Sequence, residues 1–516
     1  MSEQHREISV AEFFEKNRHL LGFNNPQKAI ITCVKEAVDN SLDACEAERI
    51  LPEIHVTIEE AGKNLRFQIK DNAVGISKEI LPNIFGKLLY GSKFHRLQQS
   101  RGQQGIGISA SGLYAQLTTG NPVKVYSKKK GSDTTHMFKV RIDTQKNEPE
   151  IIEDRVVDDY EFEHGTSIEM EIEGRYTKGH HSVRNYLKHT AIMNPYARIV
   201  LNEPDGNTIE FPRVSKTLPK IPKEIKPHPH GVELGVLMRM LSNSNSRTVN
   251  SFLQSEFTRV GKTSAEKIVE KAGLSGKERP VSLEKSDIRE LLSAMQNTKL
   301  QNPPTSCLSP IGEDLMREGL KKELNPDFVA SVTRSPSVYR GNPYQIEAAI
   351  AYGGDIDADG TFDALRFANK VPLLYKRSSC AATKAIKETD WSRYGLSQTG
   401  SSPKGPVVIL VHMASVWVPF TSEGKEAIAQ YPEIIKEMKL AVQEVGRKLK
   451  RYLSKKRKKK VLAKKRRKLS SYGAAMTPAL EKLTGEDQDE IRGVLMETLK
   501  KKYGGINGEL EEGGGK

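Results

Sequence analysis

Four short polar patterns follow one another in a fixed order along the amino-terminal third of the chain. They are Glu36 with Asn40, Asp71 with Gly75, the glycines Gly102, Gly105 and Gly107, and Gly165 with Thr166. Each alone is common, and a glycine turn before a helix is usually only a turn. Together they require a helix, a strand end, a glycine loop and a second strand to meet at one pocket.

The chemistry of nucleoside triphosphate hydrolysis asks for these groups. Phosphates need backbone N–H groups that approach closely, and a glycine loop opening a helix supplies them at the positive end of the helix dipole. Residues 102–109 (Gly102, Gln103, Gln104, Gly105, Ile106, Gly107, Ile108, Ser109) are the candidates to cradle the β- and γ-phosphates of ATP. The triphosphate needs Mg2+, an oxygen-seeking ion that keeps several waters, so one ligand such as the Asn40 amide oxygen suffices. One turn earlier, Glu36 is placed to deprotonate an attacking water. Asp71 offers an acceptor for the exocyclic amine of adenine, Gly75 a close backbone approach to the base, and Thr166 a hydroxyl at the same end. Residues 90–101 (YGSKFHRLQQSR) form a polar, basic lid. Ser92 and Lys93 are its candidates for phosphate contact, although a solvated loop fits Lys93 equally.

Periodicity supplies the frame. Asn25 is a suitable N-cap and Pro26 a suitable first residue for a helix over 26–50. Ile30, Cys33, Val34, Ala37, Val38 and Leu42 make its apolar stripe and leave Glu36 and Asn40 on another face. Alternation at 54–59 and 65–70, joined by AGKN, predicts a hairpin, with further strands at 123–127, 137–142 and 167–172. The result is an α+β sandwich, with helices on one face of a mostly antiparallel sheet. Proline-rich sequence at 204–229 reads as the connection out of it. Short helices follow to about 300, then a second α+β unit with strands at 345–352 and 407–418. A long helical stretch begins after Ser422, with Val442, Val445, Leu449 and Tyr452 on one stripe. The expected domains are 1–225, 226–306, 307–470 and 471–516, the last ending in a Gly-rich tail from Gly504.

The net charge of +15 is local. Residues 447–468 contain 15 Lys or Arg and no acid, so the remainder is neutral in sum. This run fits DNA contact, which the phosphate counter-charge favours, but also a solvated helix end or a nuclear import signal. Four cysteines (Cys33, Cys45, Cys307, Cys380) form neither a disulfide framework nor a C-x-x-C zinc pattern. Asp355, Asp357, Asp359 and Gly360 open like a calcium loop, but its twelfth position is Arg366 where a bidentate Glu is needed. No leader and no apolar stretch long enough to span a bilayer is read, so the chain is expected in the cytoplasm.

With these motifs in hand, the chain resembles the GHKL ATPases, which carry the Bergerat sandwich. The wording KEAVDNSLDA, DNAVGI, YGSKFH and RGQQGIGISASGLYAQLTTG is similar to B subunits of the type IIB topoisomerases, the topoisomerase VI family. The likeness continues through HGTSIEMEIEGRY, YRGNPYQIEAAIAYGG, LRFANKVPLLY, DWSRYGLSQ and VWVPFTSEGKEAIA, over roughly 7–430. It implies a helix-two-turns-helix insert, a ribosomal-S5-like transducer domain and ATP-driven DNA strand passage. Lys425 aligns with a transducer lysine that reaches the γ-phosphate, although alone it reads as a surface lysine at a helix start. The resemblance further implies an A subunit holding the DNA-cleaving tyrosine, a complex of two A and two B chains, ATP-dependent homodimerisation and double-stranded DNA as partner. Residues 471–516 would include the A-subunit contact. Residues 8–23, with Phe13, Phe14, Leu20 and Leu21, fit either a dimer strap or an amphipathic helix on their own domain. The compact length points to an archaeal source, with nuclear location if eukaryotic. A self-sufficient gyrase-like enzyme and a chaperone or mismatch-repair clamp are the competing functions.

Overall fold

The computed structural model describes residues 8–18, 22–91, 96–102, 105–157, 162–357, 362–422 and 424–503. Leu20, Leu21, Ser92, Lys93, Gln103, Gln104, Asp359, Gly360 and the Gly-rich tail lie outside them. A short helix α1 (Val10–Lys16) comes first. Its Ala11 is buried and Phe14 packs on the core of its own domain, while Phe13 is exposed. Helix α2 (Pro26–Ala47) follows as expected, with the Asn25 side chain accepting from the Lys28 N–H at 2.8 Å.

An eight-stranded sheet takes β1 (Glu53–Ala61), β2 (Asn64–Asp71), β3 (Val123–Lys128), β4 (Thr135–Asp143), β5 (Glu148–Val157), β6 (Gly165–Ile172), β7 (Arg198–Asn202) and β8 (Thr208–Phe211). Their order is β5-β4-β3-β6-β2-β1-β7-β8, antiparallel throughout except for β1 with β7. Helices α3 (Leu81–Gly86), α4 (Gly107–Thr119) and α5 (Val183–Met193) share one core with α2 and the sheet. Val34, Val38 and Leu42 of α2, Leu113 of α4 and Leu187 of α5 meet Ile54, Val56, Phe67, Ile69 and Met170 there. Because strand side chains alternate, the polar residues of β1 and β2 turn the other way. Two expectations change. Strand β8 lies inside the stretch read as a connector. Strand β5 went unseen because it is largely exposed and acidic, so no buried stripe marks it.

Helices α6 (Leu234–Ser242), α7 (Val249–Glu256), α8 (Lys262–Lys271) and α9 (Lys285–Asn297) form the insert around Leu237, Phe252, Leu253, Ile268 and Leu291. Helix α10 (Glu313–Leu324) then leads into a six-stranded sheet. It comprises β9 (Phe328–Thr333), β10 (Ser337–Tyr339), β11 (Asn342–Tyr352), β12 (Asp363–Ala368), β13 (Val371–Pro372) and, later, β16 (Val407–Ser415). Between them come α11 (Ala381–Lys387) and the hairpin β14 (Ser397–Thr399) with β15 (Ser402–Lys404). Every residue of β16 is buried, which accounts for its apolar run, interrupted only by His412 before Ser415 ends it. The second sheet shares a core with the end of α5, through Ile192, Met193 and Tyr196 against Leu365, Phe367 and Leu410.

Among the described residues, those up to Thr389 and over Gln398–Val445 form one compact unit, and those over Asp390–Ser397 and from Gly446 onward a second. Sequence after Ser422 is not helical at once: Phe420 bridges Ile428, Lys425 is left-handed at φ +51°, and α12 (Pro432–Thr484) starts at the proline. It continues past the boundary expected at 470, and α13 (Gln488–Tyr503) follows. Within the second unit, Gly446 lies against the Tyr394 ring, Arg457 donates to the Gly395 carbonyl at 3.1 Å, and Ser470 lies 3.4 Å from the Met496 sulfur. Residues 454–460 of the basic run are all exposed. No described helix is long and apolar enough to cross a membrane.

Leu42 is fully buried in the first core, whereas Ile152 on β5 is 47% exposed. Leu42→Ala is expected to cost about 2–5 kcal/mol and lower the unfolding midpoint. Ile152→Ser is expected to shift stability by less than about 0.5 kcal/mol. Denaturant unfolding monitored by circular dichroism measures both.

Candidate nucleotide site

A cavity of about 1030 Å³ opens over α2, and Glu36, Asn40, Asp71, Gly75, Gly102, Gly105, Ile106, Gly107, Ile108, Thr166 and Lys425 all line it. Residues from two expected domains therefore meet in one compact unit. Ser109 does not line the cavity. It is buried and its hydroxyl donates back to the Ile106 carbonyl at 3.2 Å, the usual behaviour of serine in a helix turn.

The end of β2 holds Asp71 rigidly. Its Oδ1 accepts from the N–H groups of Ala73 (3.0 Å) and Thr166 (3.1 Å), and Oδ2 accepts from the Ser41 hydroxyl at 2.6 Å. Burial raises its pKa, and these three hydrogen bonds oppose the rise. Thr166 lines the cavity, with its backbone N–H fixed on Asp71. Gly75 is left-handed at φ +71°, and a Cβ there would overlap the Lys128 carbonyl of β3. Its role is to let this loop close on the sheet.

Helix α4 begins at Gly107 with no side-chain cap, leaving N–H groups of its first turn available to an anion. A Cβ on Gly107 would collide with the Glu36 carboxylate. The glycine therefore lets the start of α4 pack directly against the Glu36 carboxylate. Glu36 is 15% exposed at its side chain, and Lys35 Nζ lies 3.8 Å from its Oε1. Burial lowers the Lys35 pKa against the pull of Glu36. Sequence reading passed over this lysine because a Lys beside a Glu on a helix ordinarily faces solvent.

Asp39, which would be a solvent charge by pattern, is 3% exposed. The Tyr186 hydroxyl donates to its Oδ1 at 3.0 Å, and burial pushes its pKa up to about 6. Its Oδ2 has no hydrogen-bond partner among the described residues.

Arg101, just before the glycine loop, is buried. Its guanidinium donates to Asp43 at 2.9 Å, to Glu46 and to Asn194 at 2.6 Å. Burial would raise the Glu46 pKa, but Arg101 and Lys370 outweigh it and hold the carboxyl at about 2. The Arg101 carbonyl accepts from Lys425 Nζ at 3.1 Å. Lys425 is 5% exposed, so it is neither a surface lysine nor at a helix start. Its neighbour Glu426 is clamped by Lys28 of α2 and by Lys376 at 2.8 Å. Burial opposes ionisation of Glu426, and the two lysines win, keeping its pKa below the usual range. A Lys-Glu pair in a loop gave no sequence signal for this clamp.

A family model described as "Histidine kinase-, DNA gyrase B-, and HSP90-like ATPase" matches residues 25–146, and one described as "Topoisomerase VI B subunit, transducer" matches residues 303–466. The chain is 52% identical over 458 residues to the B subunit of type 2 DNA topoisomerase 6 from Archaeoglobus fulgidus, covering 88% of this chain and 76% of that one. It is 38% identical over 518 residues to the corresponding B subunit from Saccharolobus islandicus, covering 98% and 97%. Among solved structures, it is similar to the 43K ATPase domain of Thermus thermophilus gyrase B at TM-score 0.41 and 14% identity, over 90% of this chain and 98% of that one.

The raised pKa of Asp39 predicts a pH dependence of stability. Its stabilising protonated form is fully populated below the unfolded pKa near 3.8, and that contribution is lost as pH rises through about 6. Thermal unfolding between pH 4 and 7 is expected to show Asp39→Asn gaining stability relative to the parent as pH rises. Parallel profiles would remove Asp39 from this role.

Proposed function

This chain belongs to the family of type 2 DNA topoisomerase 6 B subunits, and from that premise we propose how its cavity drives the reaction. The protein is the ATP-driven B subunit of a type II DNA topoisomerase. The observation that carries the reading is the contact of Gly107, at the uncapped start of α4, with the Glu36 carboxylate inside a cavity that Lys425 reaches from the second sheet's segment.

In this reading adenine enters at Asp71, whose carboxylate accepts from the exocyclic amine, while Gly75 and Thr166 shape that end. The triphosphate runs toward the first turn of α4 and the loop 102–108. Glu36 takes a proton from the water that attacks the γ-phosphate, general-base work at a carboxylate held beside the phosphate site. Asn40 lies one turn along the same helix face and fits a hard cation that needs one protein oxygen and completes its shell from water and phosphate. No cluster of three His, Cys, Asp or Glu among the described residues offers a metal another place. Mg2+ bound at Asn40 would supply neutralisation of phosphate charge.

Lys425 turns the site into a sensor. Its ammonium lies on the Arg101 carbonyl, at the entrance of the glycine loop. A γ-phosphate there offers a full counter-charge, and hydrolysis withdraws it, so the segment carrying Lys425 has two favoured states. Through that change ATP binding draws two B chains together around a DNA segment, and turnover releases it through a break made by an A subunit, in a complex of two A and two B chains. The exposed cations at 455–468 support a DNA contact, since a run of fifteen cations without an acid repels itself and phosphate is the matching counter-charge. Tyr472, Met476, Leu483 and Val494, all more than half exposed on α12 and α13, support an apolar contact with the partner chain.

Supercoiled DNA incubated with ATP, Mg2+ and the chain, with and without an A subunit, tests this reading. Relaxation is expected only with both chains, and Glu36→Gln is expected to keep ATP binding while slowing hydrolysis by about a hundredfold or more. Normal turnover by Glu36→Gln, or relaxation by this chain alone, would overturn it.

A further inference from the structure

Asn369 and Lys370 form the two-residue turn between β12 and β13, where Ala368 pairs with Val371. Both are left-handed, at φ +48° and +70°. Hairpin turns with two left-handed residues ordinarily take Asn-Gly, because a Cβ is disfavoured in that conformation. Asn369 follows the rule and Lys370 breaks it. A residue held against its backbone preference persists where the surroundings over-determine it, and such positions gather at functional sites.

The Lys370 side chain shows what it is kept for. It is 4% exposed, with Nζ 2.8 Å from Glu46 Oε2 and 3.2 Å from the Ser309 hydroxyl. Glu46 uses its other oxygen to bind Arg101, the residue whose carbonyl holds Lys425. On the opposite side, the Lys370 N–H donates to His412 Nε2 at 3.0 Å. His412 therefore carries its proton on Nδ1, which donates to Glu347 at 2.8 Å. Both residues are fully buried in the second sheet, and Glu347 also accepts from the N–H groups of Ile311 and Gly312 at 2.8 Å each. Asn369 completes the seat, its Nδ2 donating to the carbonyls of Ser100 (3.1 Å) and Ser415 (2.9 Å). The turn is thus fixed to the sheet on one side and to the entrance of the glycine loop on the other.

We propose that Lys370 is a positioning residue for ATP turnover. Through Glu46 it sets Arg101, and so the acceptor of Lys425 and the entrance of the phosphate loop, in register with the second sheet. The proposal rests on the reading that the cavity hydrolyses ATP. A merely structural lysine would be dispensable here, because glycine suits the turn better and Glu46 would keep Arg101 as counter-ion.

The test is steady-state ATP hydrolysis by the full chain and by Lys370→Gly, Lys370→Arg and Glu46→Gln, with thermal melts alongside. Lys370→Gly relieves the turn and is expected to melt cooperatively, keep KM for ATP within about threefold and lose about tenfold or more in kcat. Lys370→Arg is expected to recover part of that loss. Glu46→Gln should reproduce it, and Lys370→Gly combined with Glu46→Gln should cost little more than either alone, as for two residues acting in one chain of contacts. A folded Lys370→Gly chain with parental kcat, or one in which only KM rises, overturns the proposal. If Lys370→Gly does not fold, Lys370→Gln decides by the same criterion, since it removes the charge that meets Glu46 and leaves the contact of Glu46 with Arg101 in place. Parental turnover is the control: without it the reading of the cavity fails, whereas equal turnover in parent and variants rejects the role of Lys370 alone.

Discussion

The burial of the Arg101 guanidinium against Asp43 and Glu46 is the interaction on which the rest of the site depends. A charge taken out of water costs several kcal/mol by order of magnitude, so it survives only where partners meet it with good geometry. Here both acids stand on α2, and Asn194 adds an acceptor from the end of α5. Because Arg101 immediately precedes the glycine loop, the bonds that satisfy its charge also fix where that loop starts relative to Glu36 and Asn40. Removing the Arg101 guanidinium would take this donor from Asp43, Glu46 and Asn194 together, so the start of the loop depends on one side chain.

That constraint ties the two sheets into one device. The first holds Asp71, the proposed adenine acceptor, at the end of β2, and the second sends Lys370 and Lys425 to opposite ends of Arg101: Lys370 to the side chain through Glu46, and Lys425 to the main-chain carbonyl. Glu426, gripped by Lys28 and Lys376, pins the same loop to α2. A nucleotide that adds or removes charge near Lys425 acts on a network already balanced between buried cations and anions. Small changes there alter the preference between discrete packings and are not absorbed by soft deformation.

What could be read from sequence was what depends on near neighbours along the chain. Helix α2 was legible because Asn25, Pro26 and an apolar stripe specify it locally, and both Glu36 and Asn40 of that helix line the cavity. The glycine loop was legible as a loop, but the reason for Gly107 was hidden, since its neighbour Glu36 comes from another element. Ser109, counted with the loop for its backbone N–H, lies outside the cavity lining, and its hydroxyl is turned back onto the Ile106 carbonyl. The Arg101 network joins residues 55 and 324 positions apart, with no local pattern to announce it. Lys425 was reached only through family resemblance, since by pattern it would have begun a helix that in fact waits for Pro432. Strand β5 escaped because its exposed, acidic alternation looks like solvated sequence.

The proposed role of Lys425 is to make the cavity respond to the γ-phosphate and not merely to bound nucleotide. Competition binding of ADP and of a non-hydrolysable ATP analogue to the parent chain and to Lys425→Met tests it most directly. One charge-assisted hydrogen bond to phosphate is worth about 1.5–3 kcal/mol, so the variant is expected to lose roughly ten- to a hundredfold of the preference for the triphosphate while ADP affinity stays nearly constant. An unchanged ratio of the two affinities in a folded Lys425→Met chain would remove Lys425 from this role.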